Sequence, residues 1–212
     1  MYKILVADDH AVVRKGLLQI LQGAPGLCTV QEAGSGAEVL QKCYGEKWDG
    51  VILDLAMPGM SGLDVLKQLK AQHPVLPVLV LSVHPEEQYA RRVLKAGAAG
   101  YLTKDSAPDE LVKAVQKICS GGRYVSASLA EMLAFTFQED GDRPAHEGLS
   151  DREYQVLRLM ASGYTISEIA EKLVLSVKTV STYRTRLLQK MNMSNNAELM
   201  HYAFQNGLLE EQ

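Results

Sequence analysis

Three carboxylates stand where apolar runs of this sequence give out: Asp8 and Asp9 after Ile4-Leu5-Val6-Ala7, and Asp54 after Val51-Ile52-Leu53. Ser82 closes Val78-Leu79-Val80-Leu81 in the same way, and Thr103-Lys104 follow Ala99-Gly100-Tyr101-Leu102. In an open parallel sheet the functional crevice lies outside the carboxyl ends of the strands. If these runs are such strands, they deliver three carboxylates, a hydroxyl and an ammonium to one rim. Like charges raise one another's pKa, so three close carboxylates do not all stay ionised without a compensating cation. Few ligands, all of them oxygens, suit Mg²⁺, which keeps several waters and favours carboxylates together with phosphate oxygens. A carboxylate beside Mg²⁺ and a lysine is a nucleophile for a phosphoryl group and forms an acyl phosphate. In that chemistry Mg²⁺ and Lys104 stabilise the charge on the equatorial oxygens, and the Ser82 hydroxyl donates to one of them. Pro58 fixes a backbone angle after Asp54, and Gly59 and Gly62 permit a tight turn that keeps the acid open to solvent.

Singly, each residue has a plainer role. Asp8-Asp9 can begin a helix at His10, since acids favour helix N-termini. Asp54 before a Pro-Gly turn is ordinary loop chemistry, Lys104 can be a solvated lysine and Ser82 a turn hydroxyl. Their joint placement at successive strand ends is what points to a site.

The elements that must place these residues follow from the pattern of the first 122 residues. Five apolar runs, the second a weaker one near Thr29-Val30, alternate with helical periodicity, which predicts repeated βα units and a parallel sheet. Val13, Leu17, Ile20 and Leu21 form one helical stripe, and Leu111, Ala114, Val115 and Ile118 another. Pro108 near the start of the second stripe and Gly121-Gly122 at its end are start and stop signals in the expected order. A length of 212 residues suits two modest domains, and 47% hydrophobic with 22% charged residues excludes disordered and fibrous classes. No apolar run approaches the ~20 residues of a bilayer span, and the opening residues lack a secretory pattern, so a cytoplasmic protein without a membrane partner is expected. Cys28, Cys43 and Cys119 are widely spaced and the five histidines scattered, which argues for reduced thiols and against a metal site of nitrogen and sulfur ligands.

Beyond residue 122 the character changes. Residues 123–148 read as a linker with a short helical stretch, SASLAEMLAFTFQ, followed by the turn-rich, acidic EDGDRPAHEG. Residues 149–212 carry no strand signal. Ser150-x-x-Glu153 and Thr165-x-x-Glu168 are capping boxes, Ser176 can cap a third helix, and Ser194 or Asn195 a fourth. Seven basic and seven acidic residues cancel over this stretch, so any nucleic-acid affinity rests on distribution. The segment Val177 to Met191 holds Lys178, Arg184, Arg186 and Lys190 with no acid, and small hydroxyls at Thr179, Ser181, Thr182 and Thr185. Such a helix fits a major groove, with its N-terminal half toward the bases and longer cations on phosphates. With the helix Ile166 to Leu173 and a turn at Val174-Leu175-Ser176 it gives a helix-turn-helix outline, though a solvated basic face matches that outline equally well. Val180, Leu187 and Leu188 are expected to face the core. Leu199, Met200, Ala203 and Phe204 form an apolar stripe whose first reading is core packing.

The motifs ILVADDH, VILDLAMPGMSG, VLVLSVH and AGAAGYLTKDS, followed by LSDREYQVLRLMASGYTISEIAEKLVLSVKTVSTYRTRLLQKM, run through nearly the whole chain. In them the sequence resembles the two-component response regulators of the NarL/FixJ family: a flavodoxin-like (βα)5 receiver domain followed by a small all-α LuxR-type helix-turn-helix domain. The resemblance implies that Asp54 is the phosphoacceptor, that Asp8 and Asp9 form the acidic pocket, and that Mg²⁺ is held by Asp9, Asp54 and the backbone carbonyl of Ala56. It further implies that Ser82 and Lys104 bind the phosphoryl group and that Tyr101 is a switch residue. In the helical domain it assigns base-edge contacts to Ser181, Thr182 and Thr185, and backbone contacts to Lys178, Thr179, Tyr183, Arg184 and Arg186. The implied partners are a sensor histidine kinase, double-stranded promoter DNA and, in the active state, a second copy of the chain, with part of the last helix as one dimerisation surface. Two rivals stay open: an aspartyl-phosphate phosphotransferase or phosphatase, against which Ala56 stands where such enzymes place a general acid, and a regulator that binds DNA regardless of phosphorylation.

Overall fold

The structure, a computed structural model, describes residues 1–83, 86–136 and 144–208. His84, the last two residues of SASLAEMLAFTFQ and the first five of EDGDRPAHEG lie outside the described residues. The chain forms two compact units, Met1–Gln138 and Glu139–Gln212.

In the first unit the expected runs become β1 (Tyr2–Ala7), β2 (Cys28–Ala33), β3 (Gly50–Asp54), β4 (Val78–Ser82) and β5 (Gly100–Thr103). They form one parallel sheet in the order β2-β1-β3-β4-β5. Every residue of β3 and β4 is buried, which is why those strands read as unbroken apolar runs; β2, at the edge, alternates and gave the weaker signal. Helices α1 (Ala11–Gln22), α2 (Gly36–Gly45), α3 (Gly62–Gln72), α4 (Glu86–Lys95) and α5 (Ala107–Cys119) follow the strands in turn. Leu111, Ala114, Val115 and Ile118 of α5 are all buried, in one cluster with Leu17 and Leu21 of α1 and with Ile4, Val6, Ile52, Leu79 and Leu81 of the sheet. Each large member contributes roughly 1.5–3 kcal/mol relative to exposure. On the α1 stripe Val13 and Ile20 are half-buried.

Strand order reverses between β1 and β3, so the loops after these strands diverge and open a crevice. The pairing Ala7↔Leu53 sets Asp8 and Asp54 side by side at its floor. After α5, Gly121 takes a left-handed turn (φ 88°), and Tyr124 then returns to the sheet edge as a single parallel bridge to Gly100. Its amide donates to Ala99 O and its carbonyl accepts from Tyr101 N. Helix α6 (Ala127–Thr136) follows and packs against α4.

A 3₁₀ turn, Ala145–Gly148, opens the described part of the second unit. Then come α7 (Asp151–Ala161), α8 (Ile166–Leu173), α9 (Val177–Lys190) and α10 (Asn196–Gln205). Both capping boxes form, Ser176 caps α9, and Asn195 rather than Ser194 caps α10. Tyr154, Val156, Leu157, Ile169, Val180, Leu187, Leu199 and Ala203 make the core. Two expectations need correction. Leu188 is only half-buried, at the margin of an open hollow with Thr185 and Met193. The α10 stripe divides: Leu199 and Ala203 are buried, whereas Met200 is 41% and Phe204 69% exposed. Those two lie one step around the helix, past the width that the small four-helix core covers. No helix is long and apolar enough to cross a membrane among the described residues.

Candidate functional site

Asp8, Asp54 and Lys104 meet at the crevice. Lys104 Nζ lies 2.7 Å from Asp8 Oδ2 and 2.9 Å from Asp54 Oδ2, while both acids are essentially fully buried. Asp54 Oδ1 accepts from the amide of Ala56 at 3.2 Å, and Asp8 Oδ1 from that of His10 at 2.8 Å. Asp9 is partly exposed, and the exposed His10 ring places Nδ1 2.9 Å from Asp9 Oδ1. One ligand atom from each of Asp8, Asp9, His10 and Asp54 lies within 4.8 Å of the others.

The loops explain this convergence. Lys104 is carried in by β5, whose Thr103 pairs with Ser82, and its amide donates to Ser82 O at 2.7 Å. Ser82 is buried at the end of β4, and Tyr101, on β5, has its ring fully buried. Ala56 is exposed two residues past Asp54. Gly59 takes φ 78° in the turn beyond it. Gly62 serves differently from the expected turn role: a Cβ there would stand 2.1 Å from Asp54 O, so only glycine lets α3 begin against the end of β3. Ser61 caps that helix, accepting from Asp64 N.

Two buried carboxylates thus share one ammonium, with Asp9 beside them, and the electrostatics reflect it. Burial pushes the Asp54 carboxyl above the usual range, the Asp8 charge adds to the rise, and contact with Lys104 only partly offsets both. Burial pulls Lys104 down, but its bonds to Asp8 and Asp54 outweigh this and hold the ammonium above its ordinary value. A cluster of hard oxygen donors with too little positive charge fits a hard divalent cation. His10 was not anticipated; its position directly after Asp8-Asp9 is the signal that could have found it.

In the second unit, Lys178, Ser181, Thr182, Thr185 and Arg186 of α9 are exposed, and Thr179, Tyr183 and Arg184 are half-buried. The hydroxyls of Thr182 and Thr185 donate back to Lys178 O and Ser181 O, at 3.0 and 3.1 Å. Not all the basic charge is free for a polyanion. Arg184 Nε donates to Asn196 Oδ1 at 2.7 Å, and Lys190 Nζ pairs with the buried Glu153 at 2.7 Å. The turn before α9 holds Val174 in the left-handed region (φ 54°), which no glycine announced; such a conformation costs a β-branched residue about 1–3 kcal/mol.

A receiver-domain model, "Response regulator receiver domain", matches residues 4–116, and "Bacterial regulatory proteins, luxR family" matches residues 147–203. The response regulator UvrY of Escherichia coli is 35% identical over 98% of this chain and 96% of its own length. The response regulator GacA of Pseudomonas syringae is 37% identical over 99% of both. Among solved structures, RcsB of Salmonella enterica serovar Typhimurium, bound to promoter rprA in the presence of phosphomimetic BeF3⁻, aligns with a TM-score of 0.65 at 27% identity, over 95% of this chain and 98% of that one. The chain is therefore a two-component response regulator of the NarL/FixJ family, a receiver domain joined to a LuxR-type DNA-binding domain.

Proposed function

We propose that Asp54 accepts a phosphoryl group from the phosphohistidine of a sensor kinase and that the acyl phosphate controls binding to promoter DNA. What carries the reading is the contact of Lys104 with both Asp8 and Asp54 at the crevice. An Asp54 oxygen attacks phosphorus, the phosphorus–nitrogen bond breaks, and the imidazole leaves with its electron pair and takes up a proton. Asp9, Asp54 and the Ala56 carbonyl, beside Asp8, hold Mg²⁺, which when bound supplies positive charge to the phosphoryl oxygens. Lys104 donates to one phosphoryl oxygen and Ser82 to another; Tyr101, on the strand that leads into Lys104, responds to the shift of Ser82. Phosphoryl transfer to and from Asp54 is the chain's whole chemistry, with no separate substrate turned over.

The DNA-reading role belongs to α9. Ser181, Thr182 and Thr185 face base edges, and Lys178, Thr179, Tyr183, Arg184 and Arg186 contact the backbone. The exposure of Lys178, Ser181, Thr182, Thr185 and Arg186 supports this, as do the DNA-bound RcsB structures, one of which holds RcsB dimers on two parallel DNAs. Two copies of the chain then place their recognition helices on half-sites about 10 bp apart. The working division is a receiver over 1–122, a linker over 123–148 and a DNA-binding domain over 149–212, in a protein of the cytoplasm.

Beryllofluoride with Mg²⁺ tests the reading: it should tighten promoter binding by the wild-type chain and leave Asp54→Asn unchanged, as followed by fluorescence anisotropy. Equal affinity with and without it in the wild type removes the gating and leaves only a constitutive DNA-binding protein.

A further inference from the structure

One charged side chain at the rim belongs to none of these roles. Arg14, one turn into α1, is half-buried and directs its guanidinium back beneath the acidic loop. Its Nη1 donates to the main-chain carbonyl of Asp8 at 2.7 Å and to that of Asp9 at 3.3 Å. Its Nε donates to Glu32 Oε2 at 2.8 Å. Glu32 is fixed in turn, because it lies on β2 in register with Val6, and its carbonyl accepts from Lys42 of α2.

We infer that Arg14 is a positioning residue for the divalent cation: gripped by Glu32, it fixes the main chain from which Asp8 and Asp9 reach into the crevice. The inference rests on the Mg²⁺ reading of the cluster above. Two physical points carry it. First, Arg14 bonds the carbonyls and leaves the carboxylate oxygens to other partners, so it adds positive charge behind the acids without occupying the ligands. Second, the guanidinium is a rigid planar fork that serves both the carbonyls and Glu32, whereas a lysine ammonium on a flexible stem holds no such fixed geometry. Outer partners that orient metal ligands are commonly worth ten- to a hundredfold in metal affinity.

Titration calorimetry of the full-length chain with MgCl₂ tests it, beside thermal unfolding of the same samples in EDTA. Arg14→Gln should raise the Mg²⁺ dissociation constant by about tenfold or more, Arg14→Lys by less, and Glu32→Gln, which leaves the arginine in place but loosens its grip, by a few-fold. At saturating Mg²⁺ the rate of labelling by acetyl phosphate should return to the wild-type value in all three, because the loss lies in the hold on the cation and not in the nucleophile. If Arg14→Gln does not fold, Glu32→Gln alone decides. Folded variants with wild-type Mg²⁺ affinity and lowered melting temperatures would make Arg14 a structural tether and overturn the inference while leaving the cation site intact. A wild-type chain that takes up no Mg²⁺ would overturn the site reading and this inference together.

Discussion

Each unit buries a carboxylate beside a lysine, and the two environments push those carboxylates in opposite directions. Asp54 lies above the usual range because burial and the neighbouring Asp8 outweigh its share of Lys104. Burial pushes Glu153 up as well, but the Lys190 ammonium, the Ser150 amide at 2.7 Å and the Ser150 hydroxyl together bring it below that range. The difference teaches how to tell a site from a scaffold when both contain buried ions. Glu153 closes a capping box and ties α7 to α9; its Oε2 accepts from both the Ser150 amide and the Lys190 ammonium within the fold. Within the fold Asp54 stays under-compensated, and on the reading proposed above that deficit favours a cation and, through it, phosphoryl acceptance.

The comparison breaks most completely at the nucleophile. Acetyl phosphate with Mg²⁺ should label the chain once, at Asp54, and Asp54→Asn should reduce labelling to background in intact-protein mass spectrometry. Glu153→Gln should label like the wild type. Labelling that persists in Asp54→Asn would move the acceptor elsewhere and dissolve the contrast.

Removing the two lysines gives the next largest effect. Lys104→Met leaves Asp8 and Asp54 buried side by side without their shared cation, and breaking a buried pair in this way costs on the order of 3–5 kcal/mol. Trp48, the chain's single tryptophan, is buried in the first unit, so urea unfolding followed by its fluorescence reads this loss directly. Part of it should return on adding Mg²⁺. Lys190→Met should cost only about 1 kcal/mol in the second unit, because the Lys190 side chain is 45% exposed and its pairing is screened. Equal losses would mean that the acids at the crevice are as well compensated as Glu153.

A pH series sharpens the same contrast. A carboxylate raised in the fold binds more protons there than in the unfolded chain, so the stability tied to Asp54 is fullest at pH below its unfolded pKa and is lost as pH climbs through the raised folded value. Glu153, lowered in the fold, contributes above its unfolded pKa, and that contribution is lost as pH falls through its folded value. Metal-free Asp54→Asn should therefore gain stability over the wild type on the alkaline side of this window, and Glu153→Gln should lose it there. Tryptophan fluorescence reads the first unit, and circular dichroism at 222 nm, which follows the helices of both units, reads the second through the part of its change that tryptophan does not report.

How much of this was legible beforehand depends on where the information sits in the chain. The acids at strand ends were legible because a strand buried on both faces reads as an apolar run, and the residue that ends it stands out. The caps of α7 and α8 were legible because hydroxyl and carboxylate occur at fixed spacing, and that of α9 because a serine stands just before its helical stretch. Arg14 was not, since a guanidinium that serves main-chain carbonyls and a glutamate on the neighbouring strand leaves no spacing to detect. Nor could α10 be divided: Leu199 and Phe204 belong to one apolar stripe, and only the small core decides that one is buried and the other 69% exposed. Lys190 counted as part of a basic helix until the fold spent its charge on Glu153.

That last assignment makes the smallest prediction and the most selective. If exposed charge on α9 meets phosphate while paired charge does not, Arg186→Gln should weaken binding by a similar few-fold on every DNA sequence and reduce the slope of log affinity against log salt by about 1. Lys190→Gln should leave that slope unchanged, because its ammonium already lies 2.7 Å from a buried carboxylate. Both slopes come from anisotropy titrations across a salt series on one promoter fragment. Should the two variants lose the same slope, Lys190 must leave Glu153 to reach the DNA, and the loss of that buried pair would then appear as a cost of binding, deepest at low salt, where the attraction to phosphate is strongest.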